Sequence, residues 1–83
     1  MLTIYSKENC PQCQQAKKLL QEQGVPYQEI RVDLDSDARQ FLIDSGHRSV
    51  PQIYKDGVVF VNGGLTGLLN LPIADLAKLK EAT

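Results

Sequence analysis

The sequence has few metal-binding residues and no excess of charge of either sign. Its 83 residues include two cysteines, one histidine and no tryptophan. Nine Lys and Arg side chains stand against ten Asp and Glu, for a formal net charge of -1. A structural zinc site takes about four Cys or His ligands, so His47 with two cysteines is too small a set. The near-neutral balance argues against broad electrostatic binding to nucleic acid or to an anionic membrane.

Long apolar runs are also missing. A charge-free stretch over residues 58–73 is interrupted by Asn, Thr, Gly and Pro, and no stretch approaches the ~18 apolar residues that a membrane span needs. The N-terminal residues lack the basic start of a signal peptide. Because 42% of the side chains are apolar, we expect a single domain over residues 1–83 with one small core.

Hydrophobic periodicity predicts the element order β-α-β-α-β-β-α, with a further helix beginning at Pro72. Strands are expected over residues 2–5, 27–34, 50–54 and 58–61. Helices are expected over 11–23, from a cap at Ser36 or Asp37 to 45, and through Leu65, Leu68 and Leu69. Asp56-Gly57 predicts an antiparallel hairpin, and the helix between the first two strands makes that pair parallel. The sequence therefore predicts a four-stranded mixed sheet with helices on its faces.

Both cysteines lie in Cys10-Pro11-Gln12-Cys13, directly after the first predicted strand. Two intervening residues on a first helical turn bring the sulfurs close enough to bond. The helix N-terminus offers unpaired N–H groups and about half a positive charge, which favour thiolate over thiol at Cys10, and Lys7 is a nearby cation. We expect Cys10 to attack a disulfide and the more buried Cys13 to resolve the mixed intermediate.

Other interpretations of the cysteine pair are weaker. A purely structural disulfide between Cys10 and Cys13 would close a very short loop and constrain the unfolded chain little. A copper-chaperone domain also carries two cysteines after its first strand, but such domains run β-α-β-β-α-β, whereas here a hairpin precedes the C-terminal helical segment.

Two other polar features are assigned structural roles. Asp33, Asp35, Asp37 and Asp44 mimic the ligand spacing of a calcium loop, but the position that requires glycine holds alanine, so a strand end and a helix cap explain these acids better. His47 is distant in sequence from both cysteines, and we expect an exposed turn histidine.

Two further segments gain meaning beside the cysteines. Val50-Pro51 opens a strand, and a cis bond there would turn the Val50 carbonyl and N–H away from the sheet, free to pair with an extended peptide. Gly63-Gly64 allows close backbone approach before a helix, where Thr66 is the expected N-cap.

These residues together resemble the glutaredoxin family over essentially the whole chain. The resemblance rests on the following, in this order and spacing: Tyr5 and Lys7, the Cys10–Cys13 motif, residues 46–53, and Gly63-Gly64 with Thr66. It implies an α/β, thioredoxin-like fold and a glutathione-dependent thiol–disulfide oxidoreductase that reduces protein disulfides and glutathionylated cysteines. It implies no metal and no bound cofactor, because glutathione is the reducing co-substrate.

The same resemblance implies residue roles and partners. Cys10 is the nucleophile, Cys13 is the resolving thiol, and Pro51 follows a cis bond. The implied glutathione groove has Lys7 at the glycyl carboxylate, the Val50 backbone at the cysteinyl unit, Gly64 and Thr66 at the γ-glutamyl end, and Gln12 and Pro51 along its wall. The implied partners are glutathione and disulfide-containing or glutathionylated proteins, ribonucleotide reductase among them. The implied setting is a monomer in the cytoplasm, where glutathione keeps thiols reduced.

Two departures from the family pattern leave alternatives open. Gln12 stands where the family usually has tyrosine, and Gly67 stands where an aspartate commonly binds the γ-glutamyl amino group. The second departure favours a glutaredoxin-like redoxin that thioredoxin reductase serves, although the aromatic C-terminal signature of such redoxins is missing. An iron–sulfur carrier, with a cluster shared by two chains through Cys10, is the other alternative, although such carriers usually lack the proline after the first cysteine.

Overall fold

Four strands and three helices make up the protein in a computed structural model that describes residues 2–47, 49–61, 63–72 and 74–75. In chain order they are β1 (Leu2–Ser6), α1 (Pro11–Glu22), β2 (Tyr27–Arg31), α2 (Ser36–Asp44), β3 (Gln52–Lys55), β4 (Val58–Val59) and α3 (Leu65–Leu69). This order confirms the predicted β-α-β-α-β-β-α sequence of elements. The expected helix after Pro72 falls largely on residues 76–83, outside the described residues.

The strands form one mixed sheet in the order β2-β1-β3-β4. β1 pairs in parallel with β2, in a register that sets Ile4 opposite Glu29, and antiparallel with β3, where Ile4 lies opposite Ile53. β3 and β4 form the predicted antiparallel hairpin across Asp56 and Gly57. The central position of β1 matters for function, because its C-terminal end leads straight to the two cysteines.

The core lies between one face of the sheet and the helices α1 and α3. Alternate residues of β1 and β3 point to this face, as the two-residue period of a strand requires. Its buried members are Leu2, Ile4, Ala16, Leu20, Val25, Ile53, Val61, Leu65 and Leu68. The buried side of α1 packs in this core, and a short loop joins its first residue to the end of β1. Both connections hold the first turn of α1 in place.

The opposite face of the sheet carries aromatic rings that contact α2. The rings of Tyr5, Phe41 and Tyr54 have centroids 5.4 to 5.8 Å apart. Phe41 is 39% exposed, and within α2 only Leu42 is buried. Phe41 therefore packs against the tyrosine rings on this face of the sheet and does not fill the core.

Several predicted boundaries shift in the structure. β2 ends at Arg31 rather than residue 34, because the backbone turns there, with the N–H of Leu34 and of Asp35 donating to the Arg31 carbonyl. Asp35, one residue earlier than expected, caps α2 by accepting a hydrogen bond from the Ala38 N–H at 3.0 Å. Thr66 is not an N-cap: α3 begins at Leu65, and Gly64 occupies the capping position.

Within the described ranges, no helix combines the length and the apolar character that crossing a bilayer requires.

Candidate functional site

The two cysteines form a disulfide at the junction of β1 and α1. Cys10 is the N-cap of α1, Pro11 is its first residue, and the Cys10 and Cys13 Cα atoms are 5.2 Å apart. Proline suits this position because the first helical N–H has no partner within the helix. The geometry expected from the spacing of the cysteines is therefore present, with both sulfurs on the first helical turn.

The two sulfurs differ in burial and in hydrogen bonding, as thiol–disulfide exchange requires when one cysteine attacks first and the other follows. Cys13 is fully buried, whereas Cys10 retains 6% exposure. The Cys13 N–H donates a hydrogen bond to Cys10 Sγ at 3.1 Å. Such N–H groups at a helix N-terminus stabilise negative charge on the sulfur when the disulfide is reduced. Cys10 is thus the sulfur set up to carry the thiolate, and Cys13 is shielded behind it.

Three sequence-distant segments meet beside Cys10. Its Sγ lies 3.9 Å from the carbonyl oxygen of Val50, and the Val50–Pro51 peptide bond is cis, as the resemblance implies. Gly64 packs against Pro51 so closely that a Cβ at residue 64 would collide with the Pro51 carbonyl oxygen. The structure therefore brings together five of the predicted site residues, namely Cys10, Cys13, Val50, Pro51 and Gly64.

A first cavity of about 360 Å³ opens between the end of β1, the end of β2 and α2. It is lined by Lys7, Val32, Asp33, Arg39, Leu42, Ile43, His47, Ser49 and Val50. Lys7 and Val50 are predicted site residues, whereas Arg39 was missed, because an exposed helical arginine has no distinguishing sequence pattern. Neither Lys7 nor Arg39 has an ion-pair partner among the residues whose placement is described. Counting the described residues, the cavity thus presents two cations that no carboxylate pairs with.

A second cavity of about 480 Å³ lies beside Cys10 and shares Lys7 with the first. Lys17 and Glu29 form part of its wall. Behind them the buried Ser6 hydroxyl donates to a Glu29 carboxylate oxygen at 2.6 Å, and Lys17 Nζ lies 2.9 Å from the same oxygen. The hydrogen bond from Ser6, followed by that from Lys17, lowers the pKa of Glu29. Glu29 is therefore a carboxylate at neutral pH and holds the ammonium of Lys17.

Asp33 ties the loop before Cys10 to the end of β2. Its carboxylate accepts a hydrogen bond from the Glu8 backbone N–H at 3.2 Å and one from Arg31 Nε at 2.8 Å. The bond from Arg31 is the main reason that the pKa of Asp33 falls to about 2. This acid thus has the strand-end role expected from the sequence, and it also borders the first cavity.

The remaining predicted site residues lie further from these cavities. Gln12 and Thr66 are exposed and line neither of the two cavities described above. His47, expected to be an exposed turn residue, is instead half-buried, lines the first cavity and is hydrogen-bonded to Tyr54. The sequence could not indicate this bond, because it depends on how the turn after α2 lies over β3.

The matching family model, two similar sequences and one similar structure are those of glutaredoxins or glutaredoxin-like proteins. The glutaredoxin family model matches residues 2–63. The chain is 40% identical to the glutaredoxin-like protein NrdH of Lactococcus lactis over 60 residues, which are 72% of this chain and 83% of that protein. It is 46% identical to glutaredoxin 3 of Escherichia coli over 54 residues, 64% of this chain and 65% of that protein. A crystal structure of a buckwheat glutaredoxin–glutathione complex superposes with a TM-score of 0.75 at 27% identity, covering 98% of this chain and 79% of that one.

Proposed function

Because the chain belongs to the glutaredoxin family and is a thiol–disulfide oxidoreductase with a redox-active cysteine pair, we propose that glutathione is its electron donor and that it reduces protein disulfides and glutathionylated cysteines. Cys10 is the nucleophile and Cys13 is the resolving thiol in this proposal. Their unequal burial and the N–H group that points at Cys10 Sγ support these roles.

Removal of glutathione from a protein needs Cys10 alone. The Cys10 thiolate attacks the glutathionyl sulfur, a Cys10–glutathione disulfide forms, and the client leaves as a thiolate that takes up a proton. A second glutathione thiolate then attacks the glutathionyl sulfur of that intermediate. Glutathione disulfide leaves and the Cys10 thiolate is restored, so two electrons have passed from glutathione to the client disulfide, whose cysteine is now a free thiol.

Reduction of a protein disulfide uses both cysteines. Cys10 attacks one client sulfur and forms a mixed disulfide, while the other client sulfur leaves as a thiolate. Cys13 loses its proton and attacks Cys10 Sγ, which releases the second client thiolate and closes the Cys10–Cys13 disulfide. Two glutathione molecules reduce that disulfide in succession, so two electrons pass from glutathione to the client.

The observation that carries the choice of glutathione is the pair of uncompensated cations in the first cavity. Lys7 and Arg39 lie in it without ion-pair partners among the described residues, next to the Val50 backbone. A short peptide with free carboxylates suits such a site, because charged hydrogen bonds to carboxylates are the strong ones. We assign Lys7 and Arg39 to the glycyl carboxylate, the Val50 backbone to the cysteinyl unit, and Gly64, Thr66, Gln12 and Pro51 to the rest of the groove.

The experiment is a comparison of electron donors. The oxidised protein is offered glutathione with glutathione reductase, or thioredoxin reductase with NADPH, and disulfide reduction is followed. We expect turnover with glutathione, and a rise of about tenfold in its KM in Lys7→Gln and in Arg39→Gln. Lys18→Gln is the matched control, since Lys18 is an exposed lysine of α1 whose side chain is 75% accessible. Turnover with thioredoxin reductase alone would overturn the proposal.

Two findings favour a second donor. NrdH of Lactococcus lactis matches this chain over more of its length than glutaredoxin 3 does, and Gly67 removes a carboxylate partner for the γ-glutamyl ammonium. In that alternative the donor is thioredoxin reductase, and ribonucleotide reductase is the client. The same donor comparison decides between the two.

A reductase that depends on glutathione works in a compartment where glutathione keeps thiols reduced. The protein works in the cytoplasm as a monomer, and it carries no metal or prosthetic group. A colourless protein that elutes at the mass of one chain, before and after reduction, is the expected result of gel filtration.

A further inference from the structure

His47 has a fixed orientation at the rim of the first cavity. Its Nε2 lies 2.8 Å from the hydroxyl oxygen of Tyr54, and the two rings are edge-on with centroids 5.8 Å apart. Tyr54 is only 6% exposed and is itself held by the rings of Tyr5 and Phe41. A buried phenol in an aromatic cluster therefore anchors one side of the imidazole.

The other ring nitrogen, Nδ1, has no hydrogen-bond partner in the part of the chain that the structure describes. His47 lines the same cavity as Lys7 and Arg39, neither of which has an ion-pair partner within residues 2–47, 49–61, 63–72 and 74–75. The imidazole of His47 thus has one nitrogen bonded to Tyr54, while the other is available to donate an N–H to an anion in the cavity. A neutral imidazole carries one N–H, whereas the imidazolium carries two.

We propose that His47 is a third contact for the carboxylate bound by Lys7 and Arg39, and that the carboxylate binds with uptake of a proton on His47. The imidazolium donates Nε2–H to the Tyr54 oxygen and Nδ1–H to the ligand at the same time. The neutral ring makes both bonds only if Tyr54 donates to Nε2, and its bond to the carboxylate is then not charge-assisted. This inference rests on the proposed function, since the carboxylate in question is the glycyl carboxylate of glutathione.

The charged groups around His47 are consistent with such coupling. Lys7 follows β1, Arg39 lies on α2, and both oppose a positive charge on the ring while the cavity is empty. Asp33 follows β2 and favours that charge, although Arg31 already engages its carboxylate. Burial raises the pKa of Tyr5 on β1, so its phenol brings no negative charge to this face of the sheet. An arriving carboxylate offsets the two cations, so the ring gains its proton as the ligand binds.

The test uses S-methylglutathione, a probe that cannot undergo thiol–disulfide exchange, in a Cys10→Ser background where Cys10 cannot titrate. Its Kd is measured by NMR titration between about pH 5.5 and 8, the range in which histidine changes charge. We expect binding about fivefold tighter at the acid end, as a charge-assisted bond gives. His47→Gln keeps a side-chain amide that can bond to Tyr54, and in it the pH dependence should disappear.

A second probe does not depend on any variant at residue 47. S-methylglutathione with its glycyl carboxylate converted to an amide should bind more weakly and with no change between the two pH limits. If the free carboxylate probe binds equally at both limits, or if His47→Gln keeps the pH dependence, the proposal for His47 is wrong while glutathione binding stands. If the probe does not bind at any pH, the proposed function fails with it.

Discussion

The carbonyl oxygen of Pro51 fills the space in which a side chain of Gly64 would lie. This contact joins the segment that holds the Val50 carbonyl next to Cys10 to the start of α3. Gly64 also has a φ of +57°, in the left-handed region that favours glycine. The active-site arrangement therefore depends on the smallest residue at this position for two separate reasons.

The first prediction concerns this contact. Gly64→Ala should lower the free energy of unfolding by about 2–3 kcal/mol, because backbone atoms of Pro51 must move and a strained φ is imposed. Gly46→Ala is the matched control, since Gly46 has a φ of +86° but no described residue within 4 Å of the added Cβ. Urea unfolding of both variants separates steric conflict from backbone strain. Equal losses in the two variants would show that the Pro51 contact does not matter.

The second prediction concerns the acid Glu29. The pKa of this folded carboxyl is lowered, chiefly by the Ser6 and Lys17 bonds, so its stabilisation is complete above the ordinary glutamate value of ~4.3 and is lost as pH falls through the folded pKa. Glu29→Gln should therefore cost roughly 1 kcal/mol at pH 7, and the difference from wild type should vanish in acid. The check is urea unfolding as a function of pH.

The control for Glu29 is Glu22→Gln at the end of α1. Glu22 is 59% exposed and lies 3.9 Å from Lys18 in an i,i+4 pair. Exposed pairs of this kind contribute little, so this variant should track wild type at every pH. A Glu29→Gln variant whose deficit persists unchanged in acid would contradict the assigned network.

The third prediction separates the two cysteines. Cys13→Ser should keep deglutathionylation close to the wild-type rate, because that reaction needs Cys10 alone, and should lower reduction of protein disulfides by roughly tenfold or more. Both rates can be followed on one client offered in the two forms. Equal loss in both assays would mean that Cys13 does more than resolve mixed disulfides.

The fourth prediction concerns Gly67, which is half-buried in the first turn of α3. Gly67→Asp supplies a carboxylate for the γ-glutamyl ammonium, and a charged hydrogen bond of about 1.5 kcal/mol lowers the KM for glutathione by roughly tenfold. Gly67→Asn is the neutral control of similar shape and should leave KM nearly unchanged. An unchanged KM in the aspartate variant would place the ammonium elsewhere.

The order of elements, the parallel and antiparallel pairings and the cysteine environment were predictable from the sequence, because each depends on local periodicity or on residues a few positions apart. The missed features depend on contacts between distant segments. Arg39 becomes a site residue only because α2 borders the turn after β2, and His47 bonds to Tyr54 only because the turn after α2 lies over β3. Thr66 was misassigned as a cap because the close approach of Gly64 to Pro51, which fixes where α3 starts, is invisible in the sequence.

The central claim is that Cys10 reacts as a thiolate stabilised by the start of α1. Its most direct test is the rate of alkylation of the reduced protein by iodoacetamide as a function of pH, with Cys10 and Cys13 quantified separately by mass spectrometry. We predict a Cys10 midpoint well below the ~8.5 of a free thiol and a much slower Cys13. Two cysteines that react at similar rates, both with midpoints near ~8.5, would contradict the account.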